Sequence, residues 1–174
     1  ILAGAVSTAI IPLAVKDSQA ALSTTKLKVD QLISWLFPLS SILILTSPFI
    51  FEFVYSADYL ISAELFNIYL LIICSRLLMP QILLFAKHQN QILMWSAAME
   101  LLINVGLSLW WVQIWGILGI AWATVIAYLF NKLFLAYWVK RKFNIAITAY
   151  LNFRNYFIWL LVLLSCYLVS VLVF

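Results

Sequence analysis

The chain has 174 residues, of which 67% are hydrophobic and 9% charged, with a mean hydropathy of +1.11. A soluble domain carries about 25% charged residues, so this composition excludes a water-covered globule and points to a multi-span membrane protein. The net charge of +4 is carried by short loops between apolar runs, a pattern that orients membrane helices and excludes a phosphate-tracking nucleic-acid surface.

Six apolar runs are predicted, at residues 1–15, 32–53, 61–86, 92–112, 117–139 and 156–174. Most are about 20 residues, the length of a membrane helix, whereas barrel strands run to about ten with strict alternation. The fold class is therefore all-α: a bundle of about six transmembrane helices in one domain.

The first run is too short to cross the hydrocarbon, and it opens on Ile1 with no basic stretch before it. It is expected to be the end of a helix that begins upstream, in a chain that is a fragment of a larger one. Residues 16–31 hold Lys16, Lys26 and Lys28 against Asp17 and Asp30 and suit a linker or a surface helix. The second run contains Pro38 and Pro48, each of which removes a backbone donor and predicts a kink. Glu52, Asp58 and Glu64 follow, with no basic residue among them.

The third and fourth runs form a hairpin that turns at Lys87, His88, Gln89 and Asn90. Each carries one internal charge, Arg76 going in and Glu100 coming out. Both lie twelve residues from His88, or about 18 Å along a helix. A connection at residues 113–116 leads to the fifth run, which contains Lys132. Lys140, Arg141, Lys142 and Arg154 mark the next loop. Basic residues thus occupy alternate loops, and the first, third and fifth loops are expected on the cytoplasmic side.

Ionisable groups at such depth are expensive and are usually functional or paired. Arg76 precedes Pro80 by four residues, so its carbonyl loses its helical donor where the charge sits. It is expected either to contact an anionic substrate or to pair with Glu100. Glu100, Asn104 and Ser108 recur every four residues as a polar stripe, which either packs against neighbouring helices or gates through Glu100. Lys132 lies about 12 Å from Lys140 and either snorkels to the interface or meets a headgroup. Thr124, Tyr128 and Asn131 share a face of the same helix. Gly116, Gly119, Ala123 and Ala127 form a narrow small-residue face that admits a close helix neighbour. Cys74 and Cys166 sit in apolar runs without CxxC spacing and His88 stands alone in a turn, so neither a metal nor a cofactor is indicated.

Residues 115–124, Trp-Gly-Ile-Leu-Gly-Ile-Ala-Trp-Ala-Thr, follow a helix that bears Asn104. This stretch resembles a region of the polysaccharide-biosynthesis flippases, in the multidrug/oligosaccharidyl-lipid/polysaccharide exporter superfamily. The proline-ended stretch at residues 7–12 and Trp35-Leu36-Phe37-Pro38-Leu39 resemble other parts of that family in order and spacing. Phe53-Val54-Tyr55 stands where the family often has a glycine, here replaced by Ser56-Ala57. The resemblance implies most of the C-terminal lobe of a two-lobed transporter in a bacterial cytoplasmic membrane. Its implied partners are membrane lipids, an N-terminal lobe of the same protein, and a polyprenyl-diphosphate-linked glycan flipped by alternating access. Arg76, Glu100, Asn104, Asn131 and Lys132 would then line the substrate cavity. The alternatives are a drug or cation antiporter of the same superfamily, or a membrane-embedded polymerase or glycosyltransferase. An enzyme of the latter kind needs clustered His, Asp, Glu or Arg in a sizeable loop, which this chain lacks, so a non-enzyme is expected.

Overall fold

A computed structural model describes residues 2–55 and 60–173. Ser56, Ala57 and Asp58, at the position where the family often has glycine and in the acidic loop, lie outside the described residues. All regular structure among the described residues is helical, as the composition requires.

The first two helices, α1 (Leu2–Lys16) and α2 (Ser18–Val54), are separated by one residue. Asp17 is extended (φ −143°, ψ 104°), and its carboxylate accepts from the backbone N–H groups of Gln19 and Ala20 at 2.8 and 3.1 Å. This side-chain cap satisfies donors that a helix start leaves open. Of the charged residues 16–31, Lys16 ends α1, Asp17 caps α2, and residues 18–31 are the first turns of α2, so the stretch is helical rather than a linker. A buried stripe at four-residue spacing explains their order: Ala21, Thr25, Val29, Ile33 and Phe37 run from the charged stretch into the apolar one. Small Ala21 and Thr25 make that stripe faint in sequence.

The helix α2 continues through Pro38 and Pro48. Pro48 has no N–H to return to the Ile44 carbonyl, which is reached instead by Ser47 Oγ of its own helix (3.1 Å) and by a donor from another helix. Asn67, on α3 (Leu60–Leu70), donates through Nδ2 to Ile44 O (3.4 Å) and to Ser170 Oγ (3.2 Å), while Ser47 Oγ donates to its Oδ1 (2.6 Å). Asn67, Ser47 and Ser170 are all buried, so this node ties three helices together through one proline. Replacing Asn67 with alanine takes this partner from the buried Ser170 hydroxyl and leaves Ser47 Oγ only the Ile44 carbonyl of its own helix, and we expect a loss of about 1–3 kcal/mol in reversible unfolding in detergent. An unchanged midpoint would show that the node is dispensable.

The third apolar run is threaded as three short helices: α3, α4 (Ile72–Arg76) and α5 (Gln81–Ala86). Shorter i→i+3 hydrogen bonds tighten the chain at Leu71, and residues 77–80 break it, ending at Pro80. There the Leu78 N–H turns to Ser75 O (3.1 Å), and the Cys74 carbonyl instead accepts from Tyr156 Oη at 2.8 Å. The break expected at Arg76 and Pro80 is thus present, and it is braced from the last helix. Tyr156 itself is held edge-on by Phe37, with centroids 5.9 Å apart.

The hairpin of α6 (Asn90–Trp115) and α7 (Ile117–Phe143) forms the most extensive helix pair. Its hinge, Gly116, has φ +58°, a conformation that side chains resist. One turn later Gly119 is buried, and a Cβ there would stand 2.4 Å from the Trp111 carbonyl oxygen. Ala123 and Ala127 are also buried, so the small-residue face is a close-packed helix contact, with Gly116 itself exposed as the hinge. Asn144 ends α7 in the left-handed region (φ 56°). A 3-10 turn (Ile147–Ala149) leads to α8 (Phe153–Val173), which packs on α2. Tyr150 beside that turn is buried, and burial holds its phenol above the ordinary range.

Four helices among the described residues are long and apolar enough to cross a membrane: most of α2, then α6, α7 and nearly all of α8. Many of their large apolar side chains are exposed, and only 6% of the apolar window of α6 is buried. That helix lies at the margin of the bundle, and its exposed Trp95, Leu101, Leu102, Val105, Leu109 and Trp110 suit lipid rather than water. The chain is a membrane-embedded helical bundle. Its basic segments meet at one end, where Lys26 Nζ donates to Thr148 O (3.3 Å), Asn155 Nδ2 donates to Asp30 Oδ1 (2.6 Å), and Lys142 donates to Gln89.

Candidate functional site

A polar cluster forms where the broken third run crosses α7. The break leaves Arg76 as the last residue of α4 and Gln81 as the first of α5, so the two side chains leave from either side of one interruption. Opposite them, Tyr128 and Lys132 stand one turn apart on α7 and so share a face. The Arg76 guanidinium lies over the Tyr128 ring, 5.5 Å from its centroid. Lys132 Nζ donates to Gln81 Oε1 at 3.2 Å, and Gln81 Nε2 donates to Ser7 Oγ of α1 at 3.4 Å.

The second half of the cluster is built by α6 and α7. Asn131 is buried and donates to a Glu100 carboxylate oxygen and to Ser96 O (3.5 Å). Its own carbonyl oxygen is buried without a hydrogen-bond partner among the described residues. Glu100 is half-buried, and Lys132 lies within electrostatic reach of both Glu100 and Arg76. Asn104 Oδ1 accepts from Ser108 Oγ at 3.1 Å, which carries the polar stripe along α6 away from the cations. Thr124 spends its hydroxyl on Ile120 O of its own helix, at 3.0 Å.

The structure therefore brings Arg76, Lys132, Glu100 and Asn131 into one cluster and places Asn104 one turn beyond it. It does not join Arg76 to Glu100. No carboxylate among the described residues lies within 4.0 Å of a lysine, arginine or histidine nitrogen, and Glu100 is instead taken by Asn131. Of the two expectations for Arg76, the ion pair is the one this geometry lacks, because the Tyr128 ring occupies the guanidinium face. Lys132 likewise turns to Gln81 rather than extending as a free chain. Gln81 and Ser7 escaped the sequence reading. The one available signal was a glutamine directly after Pro80 in an otherwise apolar run.

Two consequences for chemistry follow. Arg76 is exposed, and its guanidinium donors make no hydrogen bond to the described residues. Five N–H groups in a planar fork are thus available to an anion. Arg76 and Lys132 against Glu100 sum to a net charge of +1 (two positive, one negative), so the cluster as a whole attracts negative charge. Exchanging the pair (Arg76→Glu with Glu100→Arg) is expected not to restore what either single change loses, because the two side chains do not meet. Recovery of folding yield in the double variant, measured by monodispersity in detergent, would contradict the geometry.

No protein-family model matches the chain, and no curated protein or solved structure matches it.

Proposed function

We propose that this chain is part of a flippase that moves a polyprenyl-diphosphate-linked glycan across the bacterial cytoplasmic membrane by alternating access. The observation that supports this reading is Arg76, at a helix break in a membrane-embedded bundle, with its hydrogen-bond donors uncommitted and Lys132 in the same cluster. A diphosphate crossing hydrocarbon needs its charge met within the protein, and a guanidinium can bind two phosphate oxygens side by side. Lys132 adds a point charge, and the unpartnered Asn131 carbonyl and Gln81 supply polar edges for groups attached to the phosphates. Helix interruptions at membrane depth are tolerated where backbone lines a cavity, which is how transporters build substrate sites near the midplane.

In this reading the basic end is cytoplasmic, and a second lobe of similar helices closes the cavity over Arg76. The opposing charge on Glu100, held by Asn131, keeps the cluster at a single net positive charge. The diphosphate is then attracted without being trapped. The direct check is a cell line lacking its own flippase, complemented with the full chain and its variants. Lys132→Met should lower labelled surface glycan by on the order of tenfold or more, and Lys132→Arg should keep most of it. Normal surface glycan with Lys132→Met would remove lysine from the site.

A further inference from the structure

The Gly116 end of the α6–α7 hairpin holds a second constellation, about 22 Å along α6 from Glu100, and it is of opposite character. A cavity of about 430 Å³ is lined by Trp111, Trp115, Trp122, Leu118, Ile126 and Glu64. Trp111 and Trp115 have ring centroids 5.2 Å apart and planes inclined at 58°, so they form two walls that open at an angle. Trp122 is held in place by Tyr167, edge-on at 5.8 Å and 85°. Glu64 is half-buried, also lines a neighbouring cavity of about 410 Å³, and has no basic group of the described residues within 4.0 Å.

We propose that this cavity binds an organic cation of the quaternary-ammonium class, with the indole faces around the alkyl groups and the Glu64 carboxylate facing the charge. Aromatic rings present their negative face to a cation, tryptophan most strongly, and the attraction grows when water is excluded. A carboxylate in an apolar wall without a protein cation carries a charge that a ligand can meet. A quaternary ammonium suits such walls because its alkyl groups need no hydrogen-bond partners and shed water at little cost. A sugar ring fits less well: it presents several hydroxyl donors, and among the described residues of the lining Glu64 is the one acceptor side chain. Tryptophans that serve only as an interfacial belt would not need to converge on a carboxylate.

The ligand could reach this site as a free cation or as the choline headgroup of a lipid, and one experiment separates the two. The full chain is placed in phosphatidylglycerol nanodiscs, and choline binding is measured by calorimetry beside its neutral isostere, 3,3-dimethylbutanol. Choline should bind and the isostere should not. Glu64→Gln and Trp115→Leu should each weaken binding on the order of tenfold, with Trp115→Phe keeping part of it. Trp115 is 54% exposed, so its replacement leaves the packing intact and decides the matter if Glu64→Gln misfolds. Repetition in phosphatidylcholine nanodiscs assigns the source: loss of free-choline binding means the headgroup fills the site, and unchanged binding means a free cation does. Arg76→Ala should leave choline binding unaltered, which keeps this result separate from the diphosphate reading. Equal binding of the neutral isostere, or no effect of Glu64→Gln and Trp115→Leu, would overturn the proposal.

Discussion

Replacing Arg76 with alanine is expected to abolish export of surface polysaccharide while the protein remains inserted in the membrane. The physical basis is the state of the guanidinium. It lies over Tyr128 at 5.5 Å and makes no ion pair with the described residues, so its removal costs the fold only a cation–π contact of about 0.5–1 kcal/mol. A charge-assisted, bidentate contact with a phosphate is worth more, about 1.5–3 kcal/mol for each charged hydrogen bond. The variant should therefore lose substrate contact and keep its structure. Arg76→Lys should recover only part, because an ammonium cannot present two parallel donors. The measurements are surface-glycan labelling in complemented cells and membrane yield of the same variants. Normal export with Arg76→Ala, or loss of insertion with it, would break the separation between binding and folding.

The second large effect is on stability and falls on Gly119. A side chain there meets the Trp111 backbone, with a Cβ 2.4 Å from its carbonyl oxygen and 2.6 Å from its carbonyl carbon. Backbone cannot move aside as a flexible side chain can, so the two helices must separate. Gly119→Ala is expected to cost about 1–3 kcal/mol, the range for overpacking a filled contact, and Gly119→Leu to abolish the hairpin's close approach. This matters for the site as well, because the α6–α7 contact sets Glu100 against Asn131. Gly106 on α6 is the control: nothing lies within 4 Å of a Cβ there, so Gly106→Ala should be neutral or stabilising in a helix. Unfolding of the variants in detergent, followed by circular dichroism, reads both. Equal midpoints for Gly119→Ala and Gly106→Ala would contradict the packing.

Much of this architecture is legible in residue pattern, and the gaps have physical causes. The helical class follows from run length and composition. The small-residue face follows from spacing alone, because Gly119, Ala123 and Ala127 return to one side every turn. Pro80 after Arg76 announces the break. The start of α2 is hidden because a stripe that begins Ala21, Thr25 carries little hydrophobic contrast, and the Asp17 cap is a single residue among several charged ones. The turn at Leu71 has no glycine or proline to mark it.

At the candidate site the polar residues stand out against an apolar background, but their partners do not. Equal distances of Arg76 and Glu100 from His88 suggest a pair only if both runs are unbroken helices. Once the third run is interrupted, Arg76 is carried to Tyr128, and Glu100 is left to Asn131 on the adjoining helix. The tryptophans divide in the same way. Eight in a membrane chain read as an interfacial belt, and only the packing of α3 beside α7 places Glu64 among three of them.

The diphosphate reading is tested most directly by binding, free of any cellular background. The full chain in phosphatidylglycerol nanodiscs is titrated with a short-chain polyprenyl diphosphate, beside the corresponding uncharged polyprenol. The diphosphate should bind, the polyprenol should not, and Arg76→Gln with Lys132→Gln should weaken binding on the order of a hundredfold or more. Equal affinity of the double variant and the unaltered chain for the diphosphate would contradict the assignment of the Arg76–Lys132 cluster as its site.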